Sequence, residues 1–189
     1  MTSTKRLHWI AAAAAATFAL SGGAWGQTTA PSSDRATAPA KGDNVARADA
    51  AFMKQAAENG HTEVEGSKLA QSKATNAKVK AFAEKMIEDH TKASAELSTL
   101  AASKGVELPK EPSMMQKGKL KLLSTADGAD FDKKYADEVG VKAHEDTVKL
   151  FEKGAAEAKD PDVKAWATKT LPTLKMHLQH AKEMQAAVK

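Results

Sequence analysis

From residue 48 to the C-terminus, apolar residues return every three or four positions and almost never alternate, which restricts this stretch to amphipathic helices packed on one another. Alanine, lysine, glutamate and leucine dominate it and β-branched residues are sparse, as helix propensity favours. The punctuation divides it into four long helices. The first is predicted from about Ala48 to Lys73. Asn76 is a suitable N-cap for the second, which runs to about Lys104 and stops at Gly105. A connector from Gly105 to Gly128 holds Pro109, Pro112 and a short helix predicted over Met114–Leu123 with Ser113 as its cap. The third long helix spans about Ala129 to Ala158. Asp160-Pro161, an N-cap followed by proline at the first helical position, opens the fourth, in which Pro172 is expected to introduce a kink. Two hairpins of long helices joined by a long connector predict an all-α, four-helix bundle with a short extra helix between helices 2 and 3.

Four ionisable residues interrupt the apolar stripes, one per long helix: Glu63, His90, His144 and His177. Glu63 falls among Phe52, Ala56, Gly66 and Ala70. His90 is central among Val79, Ala83, Met86, Leu97 and Ala101, and His177 among Val163, Trp166, Leu174, Ala181 and Met184. The third helix is less regular. Val141, His144, Val148, Phe151 and Ala155 share a stripe from which Phe131 and Tyr135 depart, so a bulge or bend near Gly140 is expected. At a rise of 1.5 Å per residue, Glu63 and His90 lie about 18 and 22 Å from the first turn, and His144 and His177 about 24 and 25 Å from the second. All four are therefore expected near mid-bundle, in one layer.

Three imidazoles and one carboxylate at one depth suit a single divalent transition metal, such as zinc, iron, copper or manganese. The same residues could instead form a closed polar cluster in which Glu63 accepts hydrogen bonds from the histidines. His61 and His180 fall at the edge or outside of their stripes and are expected to face solvent, although the His177-x-x-His180 spacing could supply a further ligand. Asp137, one heptad before His144, is a candidate outer partner. Met53, Met86 and Met184 read as core fillers. The sequence contains no complete catalytic motif.

The first 46 residues have a different character. Lys5 and Arg6, the apolar run Ile10–Leu20 and the small residues of Ala24-Trp25-Gly26 have the form of a secretory signal peptide over residues 1–26. The run is about 11 residues, against the roughly 20 needed to span a bilayer, so no stable membrane span is expected after cleavage. Residues 27–46 are Ala, Thr, Ser and Pro with almost no large apolar side chain, which predicts a flexible linker; residues 47–189 form the domain. The reading places the mature protein in the periplasm or cell envelope. The chain has no cysteine, so disulfides, thiolate metal sites and lipid acylation at cysteine are excluded. The net charge of +4 falls to +2 without Lys5 and Arg6 (26 basic against 24 acidic residues). Charges of both signs are interspersed and aromatics are few, which argues against a nucleic-acid partner.

Four segments together resemble a known family: DAAFMKQAAENGHTEVEGSKLA (49–70), VKAFAEKMIEDHTKA (79–93), ADFDKKYADEVGVKAHEDTVKLFEKGA (129–155) and LPTLKMHLQHA (171–181). They are similar to the bacterial exported family called domain of unknown function 4142, in the ferritin-like superfamily. The resemblance implies a ferritin-like four-helix bundle in the periplasm or envelope over residues 47–187, and it implies no activity. Di-iron members of that superfamily carry Glu-x-x-His on two helices. Here Ile87, Val141 and Leu174 stand three residues before His90, His144 and His177. Without bridging carboxylates, a dinuclear oxidase or ferroxidase centre is not expected, and the site has room for one metal at most. These residues support three readings: a metal-binding or metal-buffering bundle, a structural or stress-related envelope protein with a polar layer that fixes helix register, and an enzyme using the metal through an open coordination position.

Overall fold

The computed structural model describes residues 45–189; the expected signal peptide and nearly all of the expected linker lie outside the described residues. Within them the chain is helical throughout, with no strand. Helix α1 (Arg47–Lys73) turns through Ala74–Asn76 into α2 (Ala77–Ser103), and the two pack as a hairpin. The connector carries α3 (Met114–Leu123), which lies on α1. The third long helix comprises α4 (Gly128–Tyr135), a π-helical stretch (Ala136–Lys142) and α5 (Ala143–Glu157). It pairs with α6 (Pro161–Ala187), which is assigned as one helix through Pro172. No described helix is long and apolar enough to cross a membrane.

The ends follow from the expected capping chemistry. The Asn76 side chain accepts the Lys78 N–H at 2.8 Å, and Asp160 accepts from both Asp162 and Val163. Ser113 and Gln116 form a reciprocal capping box at the start of α3. Gly105 ends α2 at φ +66°, in the left-handed region open to glycine.

Two buried aspartates then lock each hairpin to the other's turn. Asp132, on α4, accepts the Thr75 and Asn76 backbone N–H groups and the Thr75 hydroxyl in the α1–α2 turn. Asp49, on α1, accepts the Lys159 and Asp160 N–H groups in the α5–α6 turn. Both are 3% exposed, so neither carboxylate has water to replace these donors. This reciprocity was not visible as a sequence repeat.

The π-helical stretch resolves the phase conflict in the third helix. Each wider turn admits an extra residue and rotates the residues before it relative to those after it. Phe131 and Tyr135, which leave the His144 stripe in α register, are thereby both fully buried, with the Tyr135 and Ser67 hydroxyls 2.8 Å apart.

The apolar core falls into two parts. One gathers Val79, Phe82, Met86, Phe131, Tyr135, Val139 and Met184; the other gathers Phe52, Met53, Leu97, Phe151, Trp166 and Leu174. Along α1, α2, α5 and α6 the chain passes from one part to the other at Glu63, His90, His144 and His177 respectively. The four ionisable groups form the layer between.

Candidate metal centre

Each histidine of the layer has one ring nitrogen held and the other bare. His90 Nδ1 lies 2.9 Å from Glu63 Oε2, close but not aligned as a full hydrogen bond. His177 donates through Nε2 to Asp89 Oδ2 at 2.8 Å, and His144 through Nδ1 to the Val139 carbonyl at 3.1 Å. These acceptors place the protons and leave lone pairs on His90 Nε2, His144 Nε2 and His177 Nδ1. All three of those atoms are buried and have no hydrogen-bond partner. One nitrogen from each ring lies within 4.8 Å of the others, and the ring centroids are 5.4–5.7 Å apart.

The Val139 carbonyl is available because of the π turn. In a regular α-helix it would accept the Ala143 N–H. Here Ala143 donates to Glu138 instead, one residue earlier. Val139 is released from that donor and takes His144 Nδ1–H. A helical irregularity thus fixes the tautomer and ring orientation of one histidine, a use in keeping with the frequency of π turns at functional sites.

Electrostatics assign the charges. Burial would raise the Glu63 carboxyl, but the His90 and His144 rings beside it, the close approach of His90 Nδ1 and the Thr147 hydroxyl hold it down at about 2. Burial opposes charge on His90, yet the Glu63 carboxylate raises its pKa above the ordinary value. Burial lowers His144 in spite of Glu63, and pushes His177 to about 4 against the pull of Asp89. These shifts favour a carboxylate at Glu63, charge on His90 beside it, and neutral rings at His144 and His177. Nδ1–H of His90 faces Glu63, so when the ring takes up a second proton it does so on Nε2, the nitrogen it would otherwise offer to a metal. That is where a cation would bind.

Three imidazoles that converge, each backed by a carboxylate or carbonyl on one nitrogen, match the donor set and outer hydrogen bonding of mononuclear imidazole metal sites once a metal displaces the His90 proton. The fit is close. With no edge longer than 4.8 Å, a point lies within about 2.8 Å of all three nitrogens, so each ring need advance no more than about 0.7 Å to reach a zinc–imidazole bond length.

A model of the family described as domain of unknown function (DUF4142) matches residues 34–184. The chain belongs to this family. No curated protein matches it. Among solved structures it is similar to the crystal structure of a conserved hypothetical protein, rv2844, from Mycobacterium tuberculosis. The two are 16% identical, with a TM-score of 0.59 over 74% of this chain and 92% of that one. At that identity the likeness concerns the fold.

Within this DUF4142 domain the expected layer forms, but the expected four-ligand set does not. Glu63 is not among the converging atoms. Its Oε1 accepts from the Thr147 hydroxyl at 3.1 Å and its Oε2 faces His90 Nδ1, so the carboxylate supports a histidine from behind. The reason is angular: α1 presents Glu63 to the outer side of the His90 ring, away from the gap. Asp137 is not the outer partner; it accepts from Gln185 on the surface. The residue in that role is Asp89, whose one signal in the sequence is its place beside His90. Thr147, which links Glu63 to Asn59, was also missed. His180 is exposed, and His61 is half-buried with Nε2 bonded to the Pro109 carbonyl.

Proposed function

We propose that this protein is an exported, ferritin-like four-helix bundle that binds one divalent transition metal through His90, His144 and His177, with Glu63, Asp89 and the Val139 carbonyl fixing the three rings. The observation that carries the reading is that the three buried rings each bring one nitrogen within 4.8 Å of the others and each leave one buried nitrogen without a partner. Leaving them so costs about 1–3 kcal/mol each in a dry interior, which a bound cation would recover. An all-nitrogen, three-imidazole set suits zinc or copper and leaves at least one coordination position open. No glutamate stands three residues before His90, His144 or His177 (the one Glu-x-x-His, Glu58 to His61, ends on a histidine outside the layer), and this together with the exclusion of Glu63 from the converging atoms favours a mononuclear site over a di-iron centre. The role best supported is metal binding or buffering in the periplasm or envelope; the export part rests on Lys5, Arg6, Ile10–Leu20 and Ala24-Trp25-Gly26.

The Glu63–His90 pair supports a second reading, a charged layer that fixes helix register without metal. Elemental analysis of protein purified without chelators, followed by calorimetric titration of the stripped protein with zinc, separates the two. One equivalent bound in the wild type and none in His144→Ala supports the metal site. No binding in the wild type leaves the register layer.

A further inference from the structure

Among the described residues four large apolar side chains stand well out of the bundle, and three of them are on α3: Met114 is 82% exposed, Met115 75% and Leu122 69%. A helix on the surface of a bundle is expected to turn a polar side outward. Helix α3 packs on α1 and α4 and buries Leu120 and Leu123, so the face opposite them should be polar. At 3.6 residues per turn, Met114, Met115 and Leu122 instead share one outward sector about 100° wide, with Gly118 at its middle. A methyl built on Gly118 would meet nothing within 4 Å, so no described residue lies over this sector. Lysines border it on both sides, Lys117 and Lys121 along one edge and Lys119 along the other, and α3 carries no acidic residue. Lys117 is paired with Glu111, whereas Lys119 and Lys121 are exposed and make no ion pair among the described residues.

We propose that α3 is a docking face for an anionic lipid surface. The apolar sector enters the boundary between headgroups and acyl chains, and the bordering lysines meet the lipid phosphates. Lysine suits the edge of such a face, because its methylene stem lies along apolar surface while its ammonium stays at the level of the headgroups. Charge and composition decide the occupant. A second copy of α3 on the same face would bring two sets of lysines together. A nucleic acid would use the lysines but leave Met114, Met115 and Leu122 in water. Protein interfaces are anchored chiefly by Trp, Tyr and Arg, and α3 has none of them. The contact is peripheral, since a helix of 10 residues cannot span a bilayer. The face lies outside the histidine layer and does not depend on the metal reading. Only the location of the membrane, in the envelope, rests on the proposed export.

Co-sedimentation of the mature protein with vesicles tests the docking face. Retention is expected on vesicles rich in phosphatidylglycerol, with much less on phosphatidylcholine alone and a loss at high salt. A lysine close to an anionic surface is worth about fivefold in binding, so Lys119→Gln/Lys121→Gln should weaken retention about 25-fold. Met115→Ser/Leu122→Ser keeps the charge and removes apolar surface, and should weaken retention about tenfold or more. All four side chains are exposed, so both variants should keep the wild-type Tm. Lys92→Gln/Lys169→Gln, on α2 and α6, removes the same charge elsewhere and should change retention by no more than about twofold. No retention on anionic vesicles, equal retention on neutral ones, wild-type retention in the α3 variants, or an equal loss in the α2/α6 variant each overturns the docking face. Zinc titration of the same proteins reads the metal site separately, and none of these outcomes bears on it.

Discussion

Replacing His144 by alanine should abolish the stabilisation of this protein by metal while leaving the fold in place. His144 is the informative ligand to remove. His90 is not, because its loss leaves the fully buried Glu63 carboxylate without its cation, and stranding a buried charge costs about 3–5 kcal/mol on its own. His144 is fully buried, contacts Phe82 and is held through a backbone carbonyl, so its removal strands no carboxylate. A ligand that binds only the native state at 100 times its Kd stabilises by about 2.7 kcal/mol. For a domain of this size each kcal/mol shifts Tm by about 2–4 °C, so zinc at that excess should raise the wild-type Tm by about 5–11 °C. With one of three ligands gone, the same zinc concentration should shift His144→Ala by no more than about 1–2 °C. The metal-free variant should lose about 1–3 kcal/mol from the vacated ring, less whatever is regained by removing a partnerless nitrogen. Differential scanning fluorimetry with and without zinc, after chelator treatment, reads both quantities. Equal zinc shifts in the two proteins, or none in the wild type, would refute the reasoning.

The metal-free protein should lose stability as pH falls from 6.5 towards 4. His144 and His177 are lowered below 6.5 in the folded state, so the unfolded chain binds protons that the fold refuses; each contributes up to about 1.4 kcal/mol per pH unit. The Glu63 contribution is present above 4.5 and is lost as pH falls towards about 2, while His90, raised, acts in the opposite sense and weakens the fold as pH rises through its pKa. A chelator-treated Tm that stays flat between pH 6.5 and 5 would contradict these directions. Asp132→Ala should cost about 2–3 kcal/mol in urea unfolding, because two turn N–H groups and a hydroxyl lose a buried carboxylate. Gly154→Ala should destabilise by about 1–3 kcal/mol, since its new methyl would lie 2.6 Å from the Phe52 ring. Gly118→Ala, with open space around it in α3, should instead stabilise by about 0.5–1 kcal/mol through helix propensity. If residues 1–26 act as the proposed signal peptide, mass spectrometry of protein purified from the expressing cell should find an N-terminus near Gln27.

The helices and their ends were written in local sequence. A 3.6-residue apolar period, Asn76 and Asp160 as caps, Ser113 before α3 and Gly105 after α2 act within a few residues, and local rules predict them. The depth of the histidine layer was legible for the same reason: helical rise is constant, so counting residues from a tight turn measures height. Phase also exposed the misfit between Phe131 and His144, and hence the need for a bulge near Gly140.

Tertiary packing decided what each side chain faces once it reaches that layer. Glu63, His90, His144 and His177 share a height, but only the lateral placement of four helices sets three imidazoles around a gap and Glu63 behind one of them. Asp89 became a partner of His177 because α6 packs beside α2, a contact 88 residues long that no local pattern encodes. Asp49 and Asp132 acquired their roles in the same way, by burial against distant turns. The π turn joins the two levels. Its existence follows from helical phase, but its consequence, a Val139 carbonyl released to hold His144, exists only where that ring turns back on its own helix. Spacing along a helix fixes height and direction from the axis; coordination depends on distances between axes, and those are set by the fit of the apolar side chains above and below the layer.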